Sequence, residues 1–472
     1  MGFVFFDTET TGLQFGFDQI VQFAAIRTDN DLNEIERFEI RSRLNPNVVP
    51  HPKAILTNGL SINQLNSADL PSHYEMMCSI NAQLLSWSPS IFLGYNSIRF
   101  DEEMLRHALF QTLHPAFLTS CHGNGRSDVF GLALAAHASD NNSLNVTYRD
   151  DGLPSFKLKD IAKANGIDVQ NAHDALSDTA VALAVCRHVR ARSPQLWQSF
   201  VRFSNKAAVA DFVGSEVGFI LTEYYANKAY HTPVICIGSD PGQPNGRLCL
   251  NLASNIDHLQ QLSEAELRIE LSVKPCPIRK LRTNAAPTLC ALWDAPESIL
   301  QPDQAEKLEA TAERVSNDHA FKGKLTKAFT ESRTPFAEPR SVEEMLYTAF
   351  PSRSDEAMMA SFHRSPWSQR PAIIQSLDDA RLREFGLRLL GFEARSAVSQ
   401  QYIDGADRSI ANCLVDENTG RLTLSQSLKE VRDLNSSFSI DQDERVLLND
   451  FQEYLMNRIY RVAQFQESVA VV

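Results

Sequence analysis

Phe3-Val4-Phe5-Phe6-Asp7-Thr8-Glu9-Thr10-Thr11-Gly12 decides how the first part of the chain is read. Four apolar residues run straight into an acid. The run is too short for an independent helix, so it predicts a buried strand that ends in polar chemistry. Side chains of an extended strand alternate between faces, which puts Asp7 and Glu9 on the same side. Two carboxylates on one face are hard oxygen ligands suited to Mg²⁺ or Mn²⁺. Two solvated acids at a strand end are the plain alternative.

Outward from this stretch, strand-like pieces follow at residues 20–26 and 38–40. Helical spacing appears at Met104, Leu105, Ala108 and Leu109, and again at Leu176, Ala180, Leu183 and Ala184. Alternation of this kind through residue 195 predicts an α/β domain over 1–195. The pattern breaks at Ser193-Pro194, after which residues 217–222, 234–237 and 247–252 read as strands. The last two are separated by the turn-rich segment 238–246, and a small β-rich domain is expected over 196–300. From Gln304 helical patterning dominates and ends in Leu447, Leu448, Phe451, Leu455, Ile459 and Val462. Steps of three and four residues predict an apolar helix face, and 301–472 is expected to be helical.

Composition agrees with several domains rather than one, because 472 residues exceed the size at which single cores stop growing. No apolar run approaches the ~18 residues needed to span a bilayer, and the start of the chain has no signal-peptide pattern, so a cytoplasmic protein without a membrane segment is expected. The eight cysteines form no C-x-x-C pair, which argues against a zinc ribbon or disulfide framework and for reduced thiols. A net charge of −13 is unusual for a protein that binds phosphate. Local sign matters more: cations held by carboxylates present positive charge, and residues 272–293 carry Lys274, Arg279, Lys280 and Arg282 with no acid. That segment is either a nucleic-acid contact or a solvated strand face.

Two further segments carry candidate chemistry. Gly94-Tyr95-Asn96-Ser97-Ile98-Arg99-Phe100-Asp101 leaves a strand and enters a helix, with Asp101 at the junction as a ligand or an N-cap. Arg106, five residues on, is a phosphate contact or a solvated helix residue. Ala172-His173-Asp174-Ala175-Leu176-Ser177-Asp178 opens a later helix. On an ideal helix His173 and Asp178 would point about 140° apart, so they meet at one site only if His173 sits in the preceding loop. Asp174 is then the N-cap, and Asp178 a ligand or a first-turn acid favoured by the helix dipole.

The order Asp-x-Glu on a first strand, Asp at a strand-to-helix junction and His-x4-Asp on a later helix resembles the Asp-Glu-Asp-Asp-His exonuclease superfamily. Phe-Asp-x-Glu-Thr-x-Gly, Tyr-Asn-x-x-x-Phe-Asp and His-Asp-Ala-x-x-Asp are all present. Residues 94–102, 150–158 and 163–167 look like the bacterial exonuclease I branch of it. The resemblance implies a ribonuclease H-like nuclease domain followed by an SH3-like β-rich domain and a helical domain. It implies that Asp7, Glu9, Asp101 and Asp178 bind two Mg²⁺ ions, for which Mn²⁺ can substitute, and that His173 is the general base. Thr10, Tyr95, Asn96 and Arg106 are then expected near the substrate, with Lys280 and Arg282 as contacts along the strand. Tyr347, Phe350 and Trp367 are either base-stacking surfaces or core.

The activity expected is 3′→5′ hydrolysis of single-stranded DNA to mononucleotides by a monomer, in DNA repair and recombination. The acidic C-terminal tail of single-stranded DNA-binding protein is the implied partner. An RNA-trimming exonuclease and a non-catalytic binding module are the alternatives; the long C-terminal extension counts against the first and the complete ligand set against the second. A cut near residue 200 is expected to leave a soluble nuclease domain.

Overall fold

Phe3, Val4, Phe5 and Phe6 are almost completely buried because β1 (Phe3–Thr10) lies at the centre of its sheet. The computed structural model describes residues 1–139, 143–168, 174–334, 337–437 and 440–470. β1 pairs antiparallel with β2 (Ile20–Thr28), which pairs antiparallel with β3 (Glu34–Arg41). On its other side β1 runs parallel to β4 (Ile91–Gly94), and β4 to β5 (Gly125–Asp128), giving the order β3-β2-β1-β4-β5. Period-two alternation sends Phe3 and Phe5 into a core with the helices Val129–Ser139 and Ala175–Arg192. Val4 and Phe6 enter the opposite core, with His73–Ser86 and Asp101–Gln111. Both faces of β1 are therefore covered, which is why its apolar run is continuous. Burying each such side chain stabilises the fold by about 1.5–3 kcal/mol. Gly94 is required where β4 meets β1, since a Cβ there would lie 2.3 Å from the Phe6 carbonyl oxygen. A two-stranded ribbon, β6 (Thr147–Tyr148) with β7 (Pro154–Ser155), lies outside the main sheet.

The β-rich middle region is an antiparallel sheet of β8 (Phe219–Tyr225), β9 (Lys228–Ser239), β10 (Gly246–Asn251), β11 (Ile278–Arg282) and β12 (Thr288–Ala291), ordered β11-β10-β9-β8-β12. One face buries Phe219, Leu221, Val234, Cys249 and Leu281 against Phe203, Val209 and Phe212 of the connecting helices. The other buries Ile220, Ile235, Leu248 and Ile278 against Val315, Phe321 and Leu325. Those last residues belong to the helices Pro302–Asn317 and His319–Glu331, so the packing unit of this sheet runs past the expected limit at 300.

The C-terminal third is helical, as the 3- and 4-residue spacing predicts. Its apolar stripe does not close a core of its own. Leu448, Phe451 and Leu455 pack with Val21, Val48, Ile55 and Leu65 of the nuclease part. A second shared core joins Tyr74, Phe110 and Leu113 to Phe362, Ile374, Phe385 and Leu389. Residues 1–195 thus lack an independent surface on two sides, contrary to the expectation of a separable soluble domain. Among the described residues no helix is long and apolar enough to cross a membrane.

Candidate metal centre

Residues Asp7 and Glu9 sit on the β1 face that packs against the helix Ala175–Arg192, the same face as Phe3 and Phe5. That helix carries Asp178 in its first turn, and Asp7, Glu9 and Asp178 each offer a carboxylate oxygen within 4.8 Å of the others. Asp174 is the N-cap expected, accepting from the Ser177 amide at 3.2 Å. Its second oxygen accepts from Gln22 Nε2 at 3.1 Å and Arg41 at 3.0 Å, which ties the start of the helix to β2 and β3. His173 falls outside the described residues.

Asp101 arrives from the other side of the sheet. It is the first residue of Asp101–Gln111, and Phe100 occupies the cap position without a side-chain cap, so the N-cap reading of Asp101 does not hold. Its role is tertiary: Oδ1 accepts from the Thr8 amide at 3.0 Å and from Thr8 Oγ1 at 2.6 Å. Thr8 points to that face because it alternates with Asp7 and Glu9. One strand therefore presents two carboxylates on one face and holds the third carboxylate from the other.

The electrostatics of the group are those of a site built for cations. Burial, followed by the charges of Asp101, Glu9 and Asp178, raises Asp7 well above the usual carboxylate range. Glu9 is pushed up to about 8 by burial and then by Asp178 and Asp101, with Arg41 opposing. Burial raises Asp101 to about 7 despite the Thr8 hydrogen bonds. Clustered carboxylates that resist ionisation are relieved by a divalent ion, and an all-oxygen donor set is the one hard cations prefer. The residues present fit that group.

The remaining expected substrate residues are placed differently. Thr10 is buried and donates to the Gly12 carbonyl at 2.7 Å. Tyr95 donates to the Phe156 carbonyl and packs into the core around Phe5. Asn96 adopts a left-handed backbone (φ 62°), with its amide on Asp128 at 2.8 Å. Thr10 and Tyr95 thus spend their hydroxyls on backbone carbonyls, whereas Asn96 is exposed and engages Asp128 through its backbone amide. Arg106 is a correction as well. It is buried, paired with Glu102 at 3.0 Å and Glu103 at 2.9 Å, and bonded to Tyr347 at 3.2 Å, so neither the solvated nor the open phosphate-contact reading applies. Lys280 and Arg282 are exposed on alternate positions of β11, Lys280 with its ammonium 5.6 Å from the Phe329 ring centre. Tyr347 and Phe350 are exposed and flank Phe117 at 5.8 and 5.3 Å, whereas Trp367 lies beneath the Arg370 guanidinium at 3.8 Å within a packed core.

Sequence reasoning missed two supporting residues. Asp128, at the end of β5, accepts from the amides of Asn96, Ile98 and Phe130 and so fixes the turn that delivers Asp101. Glu343, buried in the C-terminal region and paired with Arg388 and Arg421, packs closely against the loop that follows β1. Gly16 of that loop has φ +80°, and a Cβ would lie 2.9 Å from the Glu343 carbonyl oxygen. An acid at a strand end was the available signal for Asp128; nothing local marks Glu343.

A second group, Cys78, His114 and His363, also brings three donor atoms within 4.8 Å. Its imidazoles stack at 3.8 Å and 5°, so no ion can lie in both ring planes, and His363 Nε2 is engaged with the Leu113 carbonyl. It packs the nuclease part against the C-terminal helices.

Comparison with known proteins places these features in a family. The profile described as Exonuclease matches residues 4–186, and that of the Exonuclease I C-terminal domain matches 340–458. Exodeoxyribonuclease I of Haemophilus influenzae is 29% identical over 411 residues, 82% of each chain. The crystal structure of E. coli Exonuclease I in complex with a dA16 oligonucleotide superposes with a TM-score of 0.82 at 23% identity, covering 97% of this chain and 99% of that one. A crystal structure of SSB/Exonuclease I in complex with the inhibitor CFAM superposes with a TM-score of 0.80 at 22% identity over 97% and 99%.

Proposed function

The chain belongs to the exonuclease I family, and from that premise we propose that it hydrolyses single-stranded DNA from the 3′ end to mononucleotides, in DNA repair and recombination. The observation that carries this reading is the convergence of Asp7, Glu9 and Asp178 within 4.8 Å, with Asp101 held beside them by Thr8. Divalent metal ions are required by this donor set, and the proposed occupants are two Mg²⁺ ions, held by Asp7, Glu9, Asp101 and Asp178. When bound, such ions polarise the scissile phosphate and make water acidic enough to attack it.

The chain's own residues do the rest. His173, immediately before the Asp174 N-cap, is the proposed general base, since a neutral imidazole accepts the proton of the attacking water near pH 7. Thr8 fixes the orientation of Asp101, and the Glu102–Arg106–Arg126 cluster holds the helix behind it. Tyr347, bonded to Glu103 and Arg106, links the C-terminal region to that same helix. Lys280 and Arg282 are proposed to meet the strand backbone beyond the site, and Tyr347 and Phe350 to offer ring faces to unpaired bases. The divisions 1–195, 196–300 and 301–472 are proposed as functional parts, not as separately folding units. The acidic tail of single-stranded DNA-binding protein is the proposed protein partner, consistent with the SSB complex of the structural relative.

The test is digestion of end-labelled single-stranded DNA, duplex DNA and RNA of one sequence, with Mg²⁺ and with EDTA. Stepwise shortening of the single-stranded DNA from its 3′ end with Mg²⁺ alone is expected. Faster digestion of RNA would transfer the chain to the RNA-trimming reading, and cleavage in EDTA would remove the metal centre from the reaction.

A further inference from the structure

We propose that Cys236 and Cys249 form a hydroperoxide-sensitive dithiol that closes to a cross-strand disulfide within the β9–β10 pair. Cys249 is directly opposite Cys236 in the antiparallel register, just past an irregularity at Leu248. Opposed residues of such a pair have Cα atoms about 4.5–5.5 Å apart, inside the roughly 4.4–6.8 Å that a disulfide spans. Both side chains lie on the sheet face that packs against Phe203 and Phe212, so neither has to cross the sheet to reach the other. Exposure is divided usefully between them: Cys236 is half-buried and Cys249 fully buried.

The surroundings favour a thiolate on the accessible member. A hydrogen bond from Cys249 lowers Cys236 to about 7, with Arg247 and Lys322 adding positive charge, while Cys249 is raised. A thiolate that is both formed near neutral pH and reachable from solvent is the nucleophile of thiol oxidation. Cys236 Sγ attacks one oxygen of a hydroperoxide, the O–O bond breaks, and the departing oxygen takes a proton to leave as water or an alcohol. Cys236 is then a sulfenic acid. The Cys249 sulfur attacks that sulfur, the S–O bond breaks, and the hydroxide leaves as water with the Cys249 proton. Two thiols lose two electrons and two protons; one hydroperoxide gains them. In a reducing compartment the bond is reopened by thiols, so the pair reports oxidant exposure and does not serve as a permanent staple. Cys249 also faces Arg279 across to β11, so closure stiffens the strands next to Lys280 and Arg282.

The experiment treats the folded full-length protein with hydrogen peroxide, blocks remaining thiols with N-ethylmaleimide and maps peptides by mass spectrometry. A Cys236–Cys249 linked peptide lacking two hydrogens, restored to free thiols by dithiothreitol, is expected. In Cys249→Ser, Cys236 should be captured as its sulfenic-acid adduct when dimedone is present, and should pass on to sulfinic acid when dimedone is left out. In Cys236→Ser, Cys249 should stay unmodified under the same dose. Both thiols remaining alkylatable in the treated wild type, sulfinic acid on Cys236 beside a free Cys249, or a link from either residue to another cysteine would each overturn the proposal. These readouts do not depend on nuclease activity and stand whether or not the DNA substrate is correctly assigned.

Discussion

Glu9→Gln should make the metal-free protein more stable near neutral pH while removing its response to Mg²⁺. In the folded chain Glu9 exchanges its proton at about 8, against 4.5 ordinarily, because burial and the neighbouring Asp178 and Asp101 disfavour its charge. A carboxyl whose folded value is raised contributes stability that is fully present below the unfolded value and is lost as pH climbs through the folded one. The loss therefore begins near pH 4.5 and is complete above about 8. At 1.36 kcal/mol per pH unit, the interval up to pH 7 corresponds to about 3 kcal/mol. Gln keeps the shape without the charge, so most of that amount should return. Scaled to a chain of this length, roughly 1–2 °C per kcal/mol gives an increase in Tm of about 3–6 °C. The assay is calorimetric melting of both proteins in EDTA from pH 5 to pH 8, then with saturating Mg²⁺. The two curves should nearly meet at pH 5 and separate as pH rises. Mg²⁺ should lift the wild type well above its own EDTA value, since a ligand bound only by the folded state stabilises it. Glu9→Gln melting at or below the wild type at pH 7 in EDTA, or both proteins gaining equally from Mg²⁺, would refute the electrostatic account of the site.

Thr8→Val removes the hydroxyl that orients Asp101 and should lower turnover and metal affinity about 10–100-fold, as losses behind a metal ligand commonly do, with little change in folding; single-turnover rates at graded Mg²⁺ check this. His173→Ala should reduce the single-turnover rate about 10²–10⁴-fold while metal and DNA binding persist, and at saturating Mg²⁺ the variant should lack the acid-side loss of rate seen in the wild type. An unchanged rate and acid limb would leave His173 with no part in the proton transfer. A chain cut near residue 200 should be insoluble or molten, because Val21, Val48, Ile55, Leu65, Phe110 and Leu113 lose the helices that bury them; recovery of a cooperatively melting fragment would contradict the shared cores.

What could be read from the sequence alone was whatever depends on short-range periodicity. The apolar run before Asp7, the two-residue offset to Glu9 and the three- and four-residue spacing after Asp178 are set by strand and helix geometry, which local sequence encodes. The N-cap at Asp174 was legible for the same reason, since a cap bonds within its own first turn. The middle strands could be found from the turn-rich segment between them. Tertiary structure alone decided which surfaces those elements share. Asp101 has an N-cap's position in the chain, yet its partner is Thr8, 93 residues away on the opposite element. Arg106 has the composition of a surface helix residue and becomes buried only because Glu102, Glu103 and a tyrosine 241 residues distant surround it. The final helix shows its apolar stripe in the sequence, but not that the stripe meets Val48 and Leu65 of the nuclease part in addition to Leu424, Leu428 and Val431 of its helical neighbour. Burial is a property of pairs of distant segments, and one sequence carries the pattern of each segment without the register between them.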